Sequence, residues 1–231
     1  MFTGLIREIG RLQGRRSAGG VTRLDIAAPR TAARIAVGDS VAVQGICLTV
    51  TAVRSGAFAV EAAAETRRLT TLAEWRRGRR LHLEPALRAG EPLDGHLVQG
   101  HVDGVGRVLH ARRDGRGLFL TVGLEPALAR YLTPKGSVAV DGVSLTVDAG
   151  PHRDRFTVNL IPHTLAATAW DDLRPGRRVN LEMDVLVKAA RTGRWSDLPG
   201  LAPPPAPPET SPLRERLLAS GFTRLRPKGR T

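Results

Sequence analysis

Cys47 and Ser144 are the side chains of this sequence whose type and setting point most directly to nucleophilic chemistry. Cys47 stands in VGDSVAVQGICLTV (37–50) and Ser144 in PKGSVAVDGVSLTV (134–147), each just past a glycine turn and two residues before a threonine. A thiol becomes a strong nucleophile when a neighbouring positive group lowers its pKa; an unactivated cysteine is a small apolar side chain that suits a core. Both readings of Cys47 stay open at this level. His96 and His101 lie five apart in GHLVQGHVDG (95–104), among glycines that leave them approachable. A metal pair would need a third ligand at a recognised spacing, and none accompanies them. His101 fits better as a general acid or base, since imidazole titrates near neutrality, against the alternative of a structural or surface histidine. Ser144, His101 and Asp184 can be drawn as a hydrolase triad, but no strand–turn–helix elbow surrounds the serine. Gly104-Val105-Gly106 lacks the third glycine and the helix of a dinucleotide fingerprint.

The elements that must position these groups are duplicated. Ser40 matches Ser137 at an offset of 97, followed by identities at Val41/Val138, Ala42/Ala139, Val43/Val140, Gly45/Gly142, Leu48/Leu145, Thr49/Thr146 and Val50/Val147. Flanking blocks match in the same order at offsets of 96 and 98, which marks two homologous domains. The boundaries expected are 1–96, 97–187 and a C-terminal extension 188–231. Short alternating segments bounded by Gly, Pro, Asp and Ser predict strands over 21–26, 40–43, 47–53, 58–62 and 80–84. The second copy predicts them over 104–109, 118–122, 137–140, 144–147, 155–160 and 178–182. Gln44-Gly45 and Asp141-Gly142 read as tight turns. Helices are expected over 69–75, capped by Thr70 or Thr71, and over 126–132. About six short strands per copy, with edges needing closure, predict an all-β fold of two six-stranded antiparallel barrels. Beyond Asp184, residues 185–190 suit a short helix, 198–208 a proline-rich linker, and the stretch from Ser211 a capped helix ended by Gly221.

Composition narrows the class. The chain of 231 residues carries a formal charge of +13, but its arginines are scattered over apparent turns and aromatics make up only 4%. A nucleic-acid binder gathers charge on one face and offers stacking rings, so no nucleic-acid partner is expected. MFTGLIREIG does not read as a signal peptide, and no run approaches the ~18 apolar residues of a membrane span. The single cysteine permits no internal disulfide and suits a reducing compartment. A cytoplasmic enzyme or binding protein is expected, with no metal.

MFTGLI, GDSVAVQGICLTV, GHLVQGHVDG, KGSVAVDGVSLTV and NLIPHTLAAT together resemble the riboflavin synthase family, over about residues 1–190. The resemblance implies a transferase that dismutates two molecules of 6,7-dimethyl-8-ribityllumazine. A four-carbon unit passes between them, giving riboflavin and 5-amino-6-ribitylaminouracil, without a cofactor. It implies a homotrimer whose sites lie between neighbouring subunits, and admits lumazine synthase as a partner. Carried over by motif, one pocket takes Gly4, Leu5 and Ile6, Cys47, Leu48 and Thr49, and Glu61, Ala62, Ala63, Ala64, Glu65 and Thr66. The other takes Gly100, His101 and Val102, Lys135, Ser144, Leu145 and Thr146, and Asn159, Leu160, Ile161, Pro162, His163 and Thr164. Phe2, Ser40, Cys47, His101, Ser144 and Asp184 match positions associated with activity. Ser40, Cys47 or Ser144 would supply or hold the nucleophile, and His101 would assist removal of a methyl proton.

The chain departs from the family at Gln44, where asparagine is usual, at the small residues 62–64, and in KAARTGRW (188–195), a poor copy of the trimerisation helix. LRERLLASGF (213–222) resembles the family's usual ending. The nearest rival is a non-catalytic lumazine- and flavin-binding optical protein of the same double-barrel type. Such relatives lose residues of one pocket, whereas Phe2, Cys47, His101, Ser144 and Asp184 are all present here.

Overall fold

The computed structural model describes residues 1–192 except 116, 149, 171 and 172. The proline-rich stretch and the helix expected from Ser211 lie outside the described residues. The first copy forms β1 (Glu8–Ala18), β2 (Val21–Ala27), β3 (Ser40–Val43), β4 (Ile46–Arg54), β5 (Ala57–Ala63) and β6 (Arg80–Pro85). The second forms β7 (Gly104–Asp114), β8 (Gly117–Gly123), β9 (Ser137–Val140), β10 (Val143–Thr146), β11 (Arg155–Leu160) and β12 (Arg178–Met183).

In the first copy the antiparallel order β1-β2-β5-β4-β3-β6 closes into a barrel. The second has the same cyclic order, and its ends β10 and β11 meet at a single Val147–Val158 bridge. β10 is shorter than its counterpart β4, which explains the thinner seam. A register shift falls between Leu12 and Gly14 of β1 and between Val108 and His110 of β7. Such bulges add the local curvature a small barrel needs to close.

Alternation along the strands fills two separate cores. Leu12, Leu24, Ile26, Val41, Val43, Val60, Leu81 and Leu83 are fully buried in the first, and Val108, Leu120, Val122, Val138, Val140, Phe156, Val158, Leu181 and Met183 in the second. β1 has no counterpart among the strands expected from the sequence. Its outer half, Arg15–Ala18 by pairing, is exposed and polar and is held by a ladder to β2 rather than by burial.

The helical expectations are corrected in extent. Over 69–75 the chain makes a helix Ala64–Leu69 and then a 3-10 turn Thr71–Glu74, because Thr70 is extended and its hydroxyl caps Leu72 N–H at 3.3 Å. The helix expected over 126–132 is confined to Pro126–Ala129, and a helix Val185–Thr192 follows β12. Among the described residues no helix is long and apolar enough to cross a membrane.

The barrels meet about an approximate twofold axis. Turn residues Gln44 and Asp141 have φ of 52° and 46°, and Gly45 and Gly142 have 76° and 80°, the left-handed pair required by a two-residue hairpin turn. The two turns lie back to back, so that a Cβ on Gly45 would fall 2.6 Å from Gly142 N. Behind them His82 of β6 and Asn180 of β12 reach across. His82 Nδ1 lies 2.9 Å from Asp141 O, and Asn180 Nδ2 donates to Gln44 O at 2.9 Å. Their second polar atoms accept Ala169 N–H at 2.9 Å and Thr71 N–H at 2.8 Å. Since Nε2 accepts, the imidazole carries its proton on Nδ1. Burial drives its pKa down to about 4, so it is neutral at ordinary pH.

Candidate functional site

Two short extended segments, 2–6 and 98–102, cross between the barrels and build the site. Phe2 and Val98 pair antiparallel on the axis, with Phe2 N–H to Val98 O at 2.7 Å and the reverse bond at 3.1 Å. They form a small apolar cluster with Ala42 and Ala139, against which Cys47 packs. Phe2 is 0% exposed. Its ring supports the site from within, so a direct contact with a ligand, as its place among the candidate catalytic residues would suggest, is not available to it here.

The grouping of the pockets expected from the repeat is corrected by this crossing. Gly4 lies with Ser144, not with Cys47: Gly4 O accepts Ser144 N–H at 2.8 Å. Gly100 lies with Cys47, its carbonyl accepting Cys47 N–H at 2.9 Å. Ile6 packs on the second core and Val102 on the first. Both glycines have positive φ, and a Cβ on either would fall 2.6 Å from the side chain opposite. The segments are therefore exchanged, each lying on the hairpin of the other copy.

A buried carboxylate clamps each segment. Glu84 of β6 accepts Thr3 N–H and Thr3 Oγ1–H at 2.7 Å and Gly4 N–H at 3.0 Å. Glu182 of β12 accepts Gln99 N–H at 2.6 Å and Gly100 N–H at 2.9 Å. Burial raises both pKa values, and the donated hydrogen bonds pull the other way by favouring the ionised form.

On the strands the candidate side chains share the outer faces. Cys47 and Thr49 alternate with Leu48, which points into the core; Ser144 and Thr146 alternate with Leu145 in the same way. Only the backbone of Leu48 and Leu145, 3% and 7% exposed, can meet a ligand. Thr49 pairs with Ser40 on one side and Glu61 on the other, which brings three polar side chains to one patch. Thr146 pairs with Ser137. The segment 61–66 continues from β5 into the helix Ala64–Leu69 with only Ala62 buried, and 159–164 continues from β11 into the helix Pro162–Ala166, where Ile161 is 58% exposed. Both patches are shallow and open in the single chain. Lys135 lies on the loop before β9, its backbone N–H donating to Val147 O at 3.0 Å next to Thr146, with its exposed ammonium 2.8 Å from Asp148. A cleft of about 480 Å³ opens beside Ile6, Ala166 and Ala167, and of the candidate residues only Ile6 lines it.

His96, not His101, is the partner of Ser144. Its Nδ1 lies 2.7 Å from Ser144 Oγ, and its backbone N–H donates to Thr3 O at 3.2 Å. Burial lowers its pKa, opposed by the negative charge of Asp184. The triad drawn through His101 is thus not assembled: Ser144 meets His96, whose Nε2 is buried without a hydrogen-bond partner among the described residues, and Asp184 acts on that imidazole through its charge alone. The sequence signal that could have found it is the glycine before it: a Cβ on Gly95 would fall 2.0 Å from Thr3 O. His101 is exposed at the tip of its segment. Asp184 begins the helix Val185–Thr192 and accepts Leu186 N–H at 2.9 Å. Asp103, two residues past His101, binds Lys188 of that helix at 2.9 and 3.0 Å and accepts Met183 N–H at 2.7 Å. Among the described residues no group of three or more His, Cys, Asp and Glu side chains is placed to hold a metal ion.

The arrangement offers two similar open faces, each with a hydroxyl or thiol beside a threonine and an approachable loop, and with a buried imidazole at one of them. Comparison with known proteins agrees with a paired binding fold. The lumazine binding domain matches twice, at residues 3–86 and 99–184. Riboflavin synthase of Mycobacterium tuberculosis (strain ATCC 25618 / H37Rv) is 41% identical over 191 residues, covering 81% of this chain and 95% of that protein. That of Bacillus subtilis (strain 168) is 37% identical over 188 residues, 81% of this chain and 87% of its own. Riboflavin synthase of Brucella abortus (strain 2308) is 39% identical over 201 residues, 84% and 99%. In shape the chain resembles LumP complexed with riboflavin, with a TM-score of 0.73 at 21% identity, covering 79% of this chain and 99% of that one. LumP complexed with 6,7-dimethyl-8-(1'-D-ribityl) lumazine gives 0.71 at 20% identity, with the same coverage.

Proposed function

The chain belongs to the riboflavin synthase family, and we propose that each of its barrels holds one lumazine, at the outer face that carries Cys47 or Ser144. The activity is the dismutation of two molecules of 6,7-dimethyl-8-ribityllumazine to riboflavin and 5-amino-6-ribitylaminouracil. Two identical substrates call for two like pockets, and donor and acceptor roles call for a difference between them. The observation that carries this reading is the exchanged pair of segments: Gly4 seated on Ser144 and Gly100 on Cys47 give two faces of one design with different polar groups.

On the first face Ser40, Thr49 and Glu61 provide polar partners for a heterocycle edge, with Cys47 alongside and Val102 and His101 entering from the exchanged segment. On the second face Thr146, Asn159 and the start of the helix Pro162–Ala166 serve in the same way, with Leu5 and Ile6 entering from the N-terminal segment. Ser144, held by His96 with Asp184 nearby, polarises the ring it faces. His101, exposed and carried on a clamped segment, takes the methyl proton of the lumazine opposite. Ser40, Cys47 or Ser144 delivers the nucleophile, directly or through a water. Holding both rings in fixed register supplies much of the rate.

Each face is open in one chain, and a desolvated site strengthens every polar contact in it. A neighbouring copy covering the face would provide that, so the working form is a homotrimer with sites between subunits. Lys135, exposed beside the end of the strand that carries Thr146, would then face the covering subunit. The enzyme works in the cytoplasm, with lumazine synthase, the source of its substrate, as a candidate companion.

Incubation of the full chain with 6,7-dimethyl-8-ribityllumazine alone tests the reading. Riboflavin and the pyrimidine should form in equal amounts; binding without conversion would contradict it.

A further inference from the structure

Glu84 and Glu182 take no part in the chemistry described above, yet each is kept at 3% exposure at equivalent places in the repeat. A carboxylate is among the least favourable groups to bury. Both have their oxygens turned to backbone N–H groups of the exchanged segments, Glu84 taking the Thr3 hydroxyl as well. From the clamped residue the contact continues by one further bond. Glu182, on the second barrel, holds Gly100 N–H at 2.9 Å, and Gly100 O holds Cys47 N–H on the first barrel at 2.9 Å. Glu84, on the first barrel, holds Gly4 N–H at 3.0 Å, and Gly4 O holds Ser144 N–H on the second barrel at 2.8 Å.

We infer that Glu182 and Glu84 are crossed positioning residues: each is built into one barrel and sets the reactive hairpin of the other. A carboxylate is required because two parallel N–H donors need two acceptors. Glutamine has the same shape but offers one oxygen, and its NH2 would face the second donor. The absence of a side chain at Gly4 and Gly100 belongs to the same device, since it lets the carbonyl of a clamped residue come within bonding distance of the hairpin. This inference rests on the proposed place of Cys47 and Ser144 in the site, but the contacts it uses do not.

Cys47 is the only cysteine of the chain, so its alkylation reports on the first barrel alone. The experiment measures the rate of Cys47 alkylation by iodoacetamide in the full-length wild type, Glu182→Gln and Glu84→Gln, with kcat and KM for 6,7-dimethyl-8-ribityllumazine beside it. Glu182→Gln should change the alkylation rate by about threefold or more through loss of a charge-assisted bond. Glu84→Gln, whose clamped segment bears on Cys47 only through Phe2, should change it clearly less. Both should lower kcat by about tenfold with a smaller change in KM. If either glutamine variant does not fold, Glu182→Asp and Glu84→Asp, which keep two acceptor oxygens but shorten their reach, form a second pair with the same contrast expected. Alkylation of Glu182→Gln at the wild-type rate would overturn the inference. So would an equal change in Glu84→Gln, because general loosening moves both. The labelling contrast is read without turnover and stands or falls apart from the proposed chemistry.

Discussion

His82 and Asn180 occupy the same place in the two repeats and each hydrogen-bonds the other barrel's turn, His82 to Asp141 O and Asn180 to Gln44 O, both at 2.9 Å. Each also takes one backbone N–H from the loop before its partner barrel's last strand, Ala169 for His82 and Thr71 for Asn180. An imidazole and a carboxamide thus do the same work, each with one donor and one acceptor. They differ in one respect, which is that only the imidazole can be protonated.

That difference gives stability a pH dependence. His82 is held at about 4 in the fold, against 6.5 for a free histidine. Between those values the unfolded chain binds a proton that the folded chain does not. The contribution is complete above 6.5 and is lost as pH falls toward 4, at a slope of about 1.4 kcal/mol per pH unit. Urea unfolding should show the wild type losing stability relative to His82→Asn between pH 7.5 and pH 4.5, so that the gap between them changes with pH. A gap that stays constant would refute the assignment.

The facing glycines carry a steric prediction. Gly45→Ala or Gly142→Ala places a Cβ 2.6 or 2.7 Å from the other glycine's nitrogen, at positive φ. Backbone strain alone costs about 1–2 kcal/mol, and the clash should bring the loss to about 3 kcal/mol or more. Gly78→Ala has a φ of 89° and nothing within 4 Å, so it should show only the smaller cost. Thermal unfolding of the three variants distinguishes the terms.

Ser144 and His96 should act together. Ser144→Ala and His96→Gln should each lower kcat by about tenfold or more, and the double variant should be little worse than the worse single one. Because burial lowers the His96 pKa, the imidazole stays neutral as pH falls through 6.5, and its protonation should be felt only below that value. A pH–rate profile of the wild type beside His96→Gln would reveal whether an acidic limb is lost.

The helix Val185–Thr192 leaves Leu186 62% exposed. If this helix helps to join the proposed trimer, Leu186→Glu should reduce the mass found by light scattering at low concentration and make specific activity concentration-dependent. Unchanged mass would place the interface elsewhere.

Much of this architecture was legible in the residues. The repeat from Ser40 to Val50 and from Ser137 to Val147 fixed the hairpins, and Gln44-Gly45 and Asp141-Gly142 marked the turns that the structure contains. β1 was not legible, because only Gly10 and Leu12 of its eleven residues are buried. The pairing of Gly4 with Ser144 and of Gly100 with Cys47 was not legible either. An internal match aligns each segment with its own copy, whereas the hairpin on which it lies is decided by contacts across the axis. The partner of Ser144 was missed for a similar reason: His96 precedes the second segment, and its approach to Ser144 depends on how Gly95 passes Thr3.

The exchanged segments also impose an order on synthesis. As the chain leaves the ribosome the first barrel can close, but Gly4 has no Ser144 to receive and Cys47 has no Gly100 carbonyl to meet. Residues 98–102 emerge next to the first face, but their clamp Glu182 arrives only with β12, and the leading segment waits until β10 has emerged. Neither half of the gene therefore encodes a finished face, and splitting it between the barrels would leave each product seeking the missing segment from another molecule.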